Sequence, residues 1–359
     1  MHQTEYFSNL KDFYRKLQDD ESRFIFNSRF LYFLNEDDEH LWKMVDKIYK
    51  RKYFSKEITR LKELKQSGVF IIFYGAGAVG SNAMDYFKRH GLIPDFFCDK
   101  NTDKQKNGYM NIPVVSLQTL AEKYRNAAIV ITSSSVHANE IKCELKELDV
   151  NSNIYDFFIN RNIYDYFDYN FLKPVENEIY LDCGVLDGST IETFVNFTNG
   201  QYSRIYGYEP DKTSFERTLN YLQSKCFKRV NMINMGVWNE TALLSFTEKG
   251  DGGSHISDDG VFKIPVTTID ESIDGEGGGI VTFIKMDIEG AELNALRGAA
   301  KTIRRCKPRL AICIYHKPED ILEIPMYINS LVPEYRFYLR HHAISKSETV
   351  LYAINEDSK

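Results

Sequence analysis

The chain has 359 residues, 43% of them hydrophobic and 27% charged, with a net charge of -6 and a pI near 5.8. That length allows two domains with their own cores, and an acidic balance without any Lys/Arg-dense segment argues against a nucleic-acid partner. No window approaches the roughly 18 apolar residues of a membrane span, the first residues hold no signal-peptide stretch, and six scattered cysteines show neither CxxC nor metal spacing, so the expectation is a cytoplasmic protein with reduced thiols and no membrane partner.

Residues 1–66 alternate aromatic and polar positions in a helical rhythm and are expected to form two or three helices, an N-terminal helical segment. Within it "RFIFNSRFLYFL" carries five aromatics, the pattern of a helix packing its rings on a neighbour or of a wall beside a cleft. From residue 67 to about 155 the pattern is strand, glycine turn, helix, strand, which predicts a small Rossmann-like α/β domain. Residues 156–174 read as a linker that closes at Pro174. A second and longer β/α series occupies 175–359, with strands expected at 179–183, 204–208, 229–235, 281–286 and 309–314. A polar glycine-rich insertion falls around 248–260. The last two runs, "YRFYLRHH" and "TVLYAIN", predict an antiparallel hairpin. The fold class is therefore α/β, a doubly wound sheet with a terminal antiparallel hairpin, preceded by a smaller Rossmann-like domain.

The first glycine turn, "GAGAVG", places Gly75, Gly77 and Gly80 after an apolar strand and before a helix, with Asp99 closing the next strand about twenty residues on, where a ribose-binding acid sits in dinucleotide sites. The domain is short for a dinucleotide. A nicotinamide-dependent oxidoreductase, a non-catalytic nucleotide-sugar-binding protein and a purely structural turn all stay open on this motif.

The second turn, "YLDCGVLDGST", has Gly184 and Gly188 alternating with the acids Asp182 and Asp187. Two carboxylates repel a pyrophosphate and attract an ammonium and a sulfonium, so this turn suits S-adenosylmethionine. Glu209 ends the next strand, where an acid accepts the ribose hydroxyls. Gly236, Val237 and Trp238 follow the third strand and are candidates for contact with an adenine.

With "GYEPD", "VTTIDE", "FIKMDIEGAE", "YHKPED" and the closing "RHH" and "LYAI", the region from about 175 to 355 resembles the FkbM-family methyltransferases, a class I S-adenosylmethionine-dependent fold. The resemblance implies methyl transfer to an oxygen, often on a sugar or a glycosylated product. A carbohydrate or glycoconjugate is the implied substrate, and a homodimer is compatible with it.

Methyl transfer from a sulfonium is an in-line displacement, so the protein must align the acceptor oxygen and help remove its proton. Asp287 and Glu289, beyond the strand that ends at Met286, are expected to face the acceptor, and Glu292 suits a helix start on its own. His316, beyond the next strand, is the leading general base. Lys285 has competing roles, orienting the acids, touching substrate, or serving in a buried ion pair. The same acids with His316 could hold a divalent ion, but no tight ligand spacing selects one and none is predicted. Ser254 and His255 lie in the insertion, a closing loop or a plain connection. Arg340, His341 and His342 read equally as a substrate surface or as loop residues.

Overall fold

The short apolar runs become parallel strands covered by helices on both faces, which is why they read as continuous hydrophobic stretches and not as alternating ones. The computed structural model describes residues 3–48, 54–133, 135–150, 153–157, 166–247, 253–257, 259–275, 277, 279–343 and 345–355. The chain divides into two compact units, one built from residues 1–44 with 165–359 and the other from 45–164. No described helix is long and apolar enough to cross a membrane.

The intervening unit holds five strands, β1 (Ile71–Tyr74), β2 (Phe96–Cys98), β3 (Val114–Val115), β4 (Ala128–Ile131) and β5 (Ile154–Asp156). They lie in the order β3-β2-β1-β4-β5, all parallel. Packing accounts for much of its glycine turn. Gly75 has φ +119°, and a Cβ there would sit 2.4 Å from the Thr132 carbonyl oxygen, while a Cβ on Gly80 would sit 2.2 Å from the Gly75 oxygen. Asp99 spends one carboxylate oxygen on this turn, accepting the Ala76 N–H at 2.8 Å, and the other on its own following loop, accepting the Asn101 N–H at 2.9 Å. Asp99 thus braces the turn in this structure.

The larger unit carries β6 (Ile179–Cys183), β7 (Arg204–Tyr208), β8 (Val230–Ile233), β9 (Gly236–Val237), β10 (Ala242–Thr247), β11 (His255–Ile256), β12 (Phe262–Thr267), β13 (Phe283–Met286), β14 (Arg309–Cys313), β15 (Arg336–His341) and β16 (Thr349–Ile354). Seven of these form one sheet in the order β15-β16-β14-β13-β6-β7-β8. The strands from β14 to β8 are parallel, whereas β16 runs antiparallel to both β14 and β15. The terminal hairpin thus inserts its second strand between β14 and its first. A second, four-stranded sheet, β11-β10-β12-β9, grows from the chain between β8 and β13. Its strands "ALLSFT" and "FKIPVT" flank the insertion that was expected to be an irregular loop, and residues 248–252 and 258 of that insertion lie outside the described residues.

Two boundaries differ from the expectation. The helices Gln3–Arg15 and Asp20–Asn35 belong to the larger unit, where Phe13 meets Phe26 and Phe337 with ring centroids 5.6 and 5.0 Å apart. They also cover the free edge of β15. Gln18 N–H donates to the Phe337 oxygen, Phe337 N–H to the Lys16 oxygen, and Leu339 N–H to Ser22 Oγ at 2.9 Å. An uncovered edge would offer those groups to another chain. The expected linker is also no free tether throughout, because Tyr166, Phe167 and Leu172 are buried in the core around Tyr180, Phe194, Phe283 and Tyr352. Residues 158–165 lie outside the described residues.

The RHH cluster is structural. Arg340 pairs with Asp19 at 2.6 Å and stands over the rings of Tyr169 and Phe171. His341 and His342 are buried.

Candidate active site

The carboxyl ends of β6, β7, β13 and β14 and the start of β16 meet at one edge of the seven-stranded sheet, and a cleft opens there. Its near wall is the turn after β6. Gly184 has φ +85°, and a Cβ on it would lie 1.9 Å from the Asp287 carbonyl oxygen, so only glycine lets the turns after β6 and β13 touch. Lys285 locks this contact from below. Its Nζ lies 3.1 Å from Asp182 Oδ1, the residue directly across in register, and donates to the Gly184 oxygen at 2.6 Å. Burial alone would depress the Lys285 ammonium, but the carboxylates of Asp182 and Asp287 override it and hold it above its ordinary range.

The acids of the β6 turn do not line the cleft. Asp182 is fully buried, ion-paired with Lys285 and accepting the Thr190 hydroxyl at 2.5 Å. Asp187 Oδ1 accepts the Ser189 N–H at 3.0 Å and hydroxyl at 2.6 Å, in the turn that leads into the helix Ser189–Phe197. Gly188, at φ +84°, faces Tyr221, 3.0 Å from where its Cβ would be. Trp238 also lies off the wall, with its ring against the small cluster of Phe246, Ile264 and Val266 and its carbonyl 2.0 Å from where a Gly298 Cβ would be.

The wall itself brings together Gly184, Glu209, Gly236, Asp287 and Glu289 of the expected residues. Glu209 accepts the Leu186 N–H and the Asp211 N–H, each at 2.9 Å, one on each carboxylate oxygen. Burial raises its pKa, and those two hydrogen bonds oppose the rise. Val237, Phe246, Ile256 and Ile264 supply an apolar face on the same side, with His255 and Ser254 beside it. The insertion's flanks therefore contribute directly to the cleft. Among the described lining residues there is no lysine or arginine.

On the acceptor side, His316 sits among three carboxylates. Nε2 lies 3.5 Å from Asp287 Oδ1 and 3.5 Å from Glu289 Oε1, and Nδ1 lies 3.0 Å from Glu292 Oε1. Burial pulls the imidazole down, but Glu289, Glu292 and Asp287 outweigh it and raise its pKa to about 11. With only the protein around it, the ring is therefore an imidazolium near neutral pH, without the lone pair that a general base requires. Asp287 is held below the usual carboxylate range, because the Lys285 and His316 charges prevail over its own burial.

Sequence reasoning missed Tyr315 and Glu348. The Tyr315 hydroxyl lies 3.1 Å from Asp287 Oδ1 and 3.2 Å from Glu348 Oε1. Burial, and then the Asp287 charge, push Glu348 up to about 8. Glu348 sits in a polar run, "SKSETV", that carries no motif, while Tyr315 immediately precedes His316 and was open to the same strand-end argument.

A parallel doubly wound sheet that closes with an inserted antiparallel strand, and opens an acid-lined cleft at its carboxyl edge, defines the class I methyltransferase fold. The family described as the methyltransferase FkbM domain matches residues 182–342, so this region is similar to a methyltransferase domain. Among solved structures, the chain is similar to a methyltransferase FkbM from Methylobacillus flagellatus KT at 21% identity, covering 79% of this chain and 89% of that one with a TM-score of 0.46. It is also similar to an rRNA methylase from Streptococcus thermophilus, at 15% identity over 50% of this chain and 87% of that one, TM-score 0.33. Aeropyrum pernix fibrillarin, in complex with S-adenosyl-L-methionine, matches at 12% identity over 50% and 67%, TM-score 0.30. A search of curated protein sequences returns no match.

Proposed function

We propose that the larger unit transfers a methyl group from S-adenosylmethionine to a hydroxyl oxygen of a carbohydrate or glycosylated product. The observation that carries this reading is the charge of the cleft: Glu209, Asp287 and Glu289 line it, with no lysine or arginine among the described lining residues. Such a site repels the pyrophosphate of a dinucleotide and attracts a cationic donor. Bound S-adenosylmethionine supplies an electrophilic methyl group on a sulfonium. Glu209 receives one backbone N–H on each oxygen, which leaves each oxygen a lone pair for a ribose hydroxyl. The Gly184 turn brings the backbone close to the ligand, and Val237 and Phe246 offer the apolar face for an adenine, a part first expected of Trp238. Asp287 and Glu289 accept hydrogen bonds from the acceptor's hydroxyls and favour the loss of its proton as the oxygen attacks. The preference for a sugar rests on the family resemblance; a surface of carboxylate acceptors suits a polyol.

Thermal melting with S-adenosylhomocysteine, NAD and UDP-sugars in parallel tests this, since a ligand that binds only the folded state raises the midpoint. A shift with S-adenosylhomocysteine that Glu209→Ala abolishes is expected. No shift at saturating S-adenosylhomocysteine would refute the proposal.

A further inference from the structure

We propose that Asp287, Glu289 and His316 form a binding site for one divalent cation on the acceptor side of the cleft. One oxygen from each carboxylate and one ring nitrogen of His316 all lie within 4.8 Å of one another. Ligand atoms about 2.1 Å from a common ion stand about 3 to 4.3 Å apart, and the 3.5 Å separations of Nε2 from both carboxylates fall inside that range.

A second observation separates this group from an ordinary acidic patch. The His316 side chain is only 8% exposed, yet neither ring nitrogen makes an aligned hydrogen bond. The ring is held by the charge of its neighbours and not by aligned hydrogen bonds, and its Nε2 edge is turned toward the two acids. Glu292 stands on the other edge, 3.0 Å from Nδ1, and is itself held by the Ile288 N–H at 2.9 Å. A carboxylate behind the distal nitrogen of a metal-ligating histidine is the usual means of fixing which nitrogen faces the ion. Three carboxylates therefore surround a single imidazole, while the neighbouring Lys285 is committed to Asp182 and the Gly184 carbonyl. A cation taking the place of the Nε2 proton balances that charge better than the proton does. Mixed carboxylate and imidazole donors suit Mn²⁺, with Mg²⁺ a weaker occupant.

What the ion does rests on the methyl-transfer reading. Asp287 and Glu289 both line the cleft, so the ion's remaining positions face the acceptor, and a hydroxyl oxygen bound there is more acidic than a free one. Neighbouring hydroxyls of a polyol would chelate it.

The test is titration of the metal-stripped full-length protein with Mn²⁺, following the six-line electron paramagnetic resonance signal of the free ion. The expected result is one bound Mn²⁺ per chain, weakened by more than about tenfold in both Glu289→Gln and His316→Gln. Glu289 is partly exposed, so its variant should keep the fold, and the S-adenosylhomocysteine melting shift checks that it does. An unchanged free-ion signal, or equal binding by wild type and both variants, overturns the site. Mn²⁺ binding without an S-adenosylhomocysteine shift would instead overturn the methyl-transfer reading and leave the cation site standing.

Discussion

Replacing Lys285 by methionine removes one member of an ion pair in which both side chains are almost wholly out of solvent, 2% exposed for Lys285 and 0% for Asp182. The remaining Asp182 carboxylate would keep the Thr190 hydroxyl but no compensating charge at its Oδ1, and the Gly184 oxygen would lose its ammonium donor. Breaking a buried pair from one side costs about 3–5 kcal/mol, a large share of the roughly 5–15 kcal/mol that holds a typical domain folded. The double variant Asp182→Leu with Lys285→Met removes both charges together and should recover most of that loss, because a buried pair contributes little over an apolar replacement. Urea unfolding of wild type, both single variants and the double variant gives the coupling energy. Only the transition of the larger unit should move. A Lys285→Met loss below about 1 kcal/mol, or a double variant no more stable than the singles, would refute the claim that this pair clamps the turn after β6.

Two further substitutions probe the same frame. Gly184→Ala places a methyl group 1.9 Å from the Asp287 oxygen at a φ of +85°, so the expected outcome is loss of S-adenosylhomocysteine binding with a destabilisation of about 1–3 kcal/mol or more, and an unaltered melting curve and affinity would count against it. His341 is buried, and burial followed by the Arg29 charge lowers its pKa to about 3. Its Nε2 lies 2.8 Å from the Ser345 carbonyl, which makes Nε2 the donor and Nδ1 the acceptor of the Thr349 hydroxyl, while Arg29 donates to the same Thr349 oxygen. Because the folded pKa lies below the unfolded value, the neutral ring's stabilisation is complete above about pH 6.5 and is lost as pH falls toward 3, by about 1.4 kcal/mol per pH unit. Urea midpoints of His341→Gln should therefore fall less steeply than those of wild type between pH 6 and 4, and parallel slopes would dismiss the idea.

Much of the larger sheet was legible because each buried parallel strand is a compact apolar run ending in a glycine or an acid, and because two closely spaced terminal strands must pair antiparallel. The position of Glu209, Asp287 and Glu289 at strand ends followed from that alone. Direction was harder. Asp182 lies inside β6 and opposite Lys285 in β13, and a single opposite charge in each of two otherwise apolar strands was the available sign that they neutralise each other. Asp187 looked like a ligand acid, but its carboxylate is taken up by Ser189 two residues on, in the turn that leads into the helix. Trp238 lost its expected place because the chain turns immediately into β10, carrying the ring into the second sheet's small core. The general-base assignment of His316 overlooked that the acids of the 287–292 segment, already grouped with it, would raise the ring's pKa. That the rings of residues 1–44 pack on a neighbour was readable, but which neighbour was not, since Phe13 meets Phe337 from the far end of the chain.

That long reach bears on how the chain is made. The helices that cover β15 leave the ribosome long before it, yet Ser22 bonds to Leu339, 317 positions later. Contacts so distant form slowly and late. The intervening unit, whose own sheet closes within residues 45–164, is free to fold while the opening helices wait with Phe13 and Phe26 uncovered. For that interval the growing chain carries an aromatic surface that β15 has yet to cover, which makes synthesis a stage at which it is open to aggregation and to chaperones.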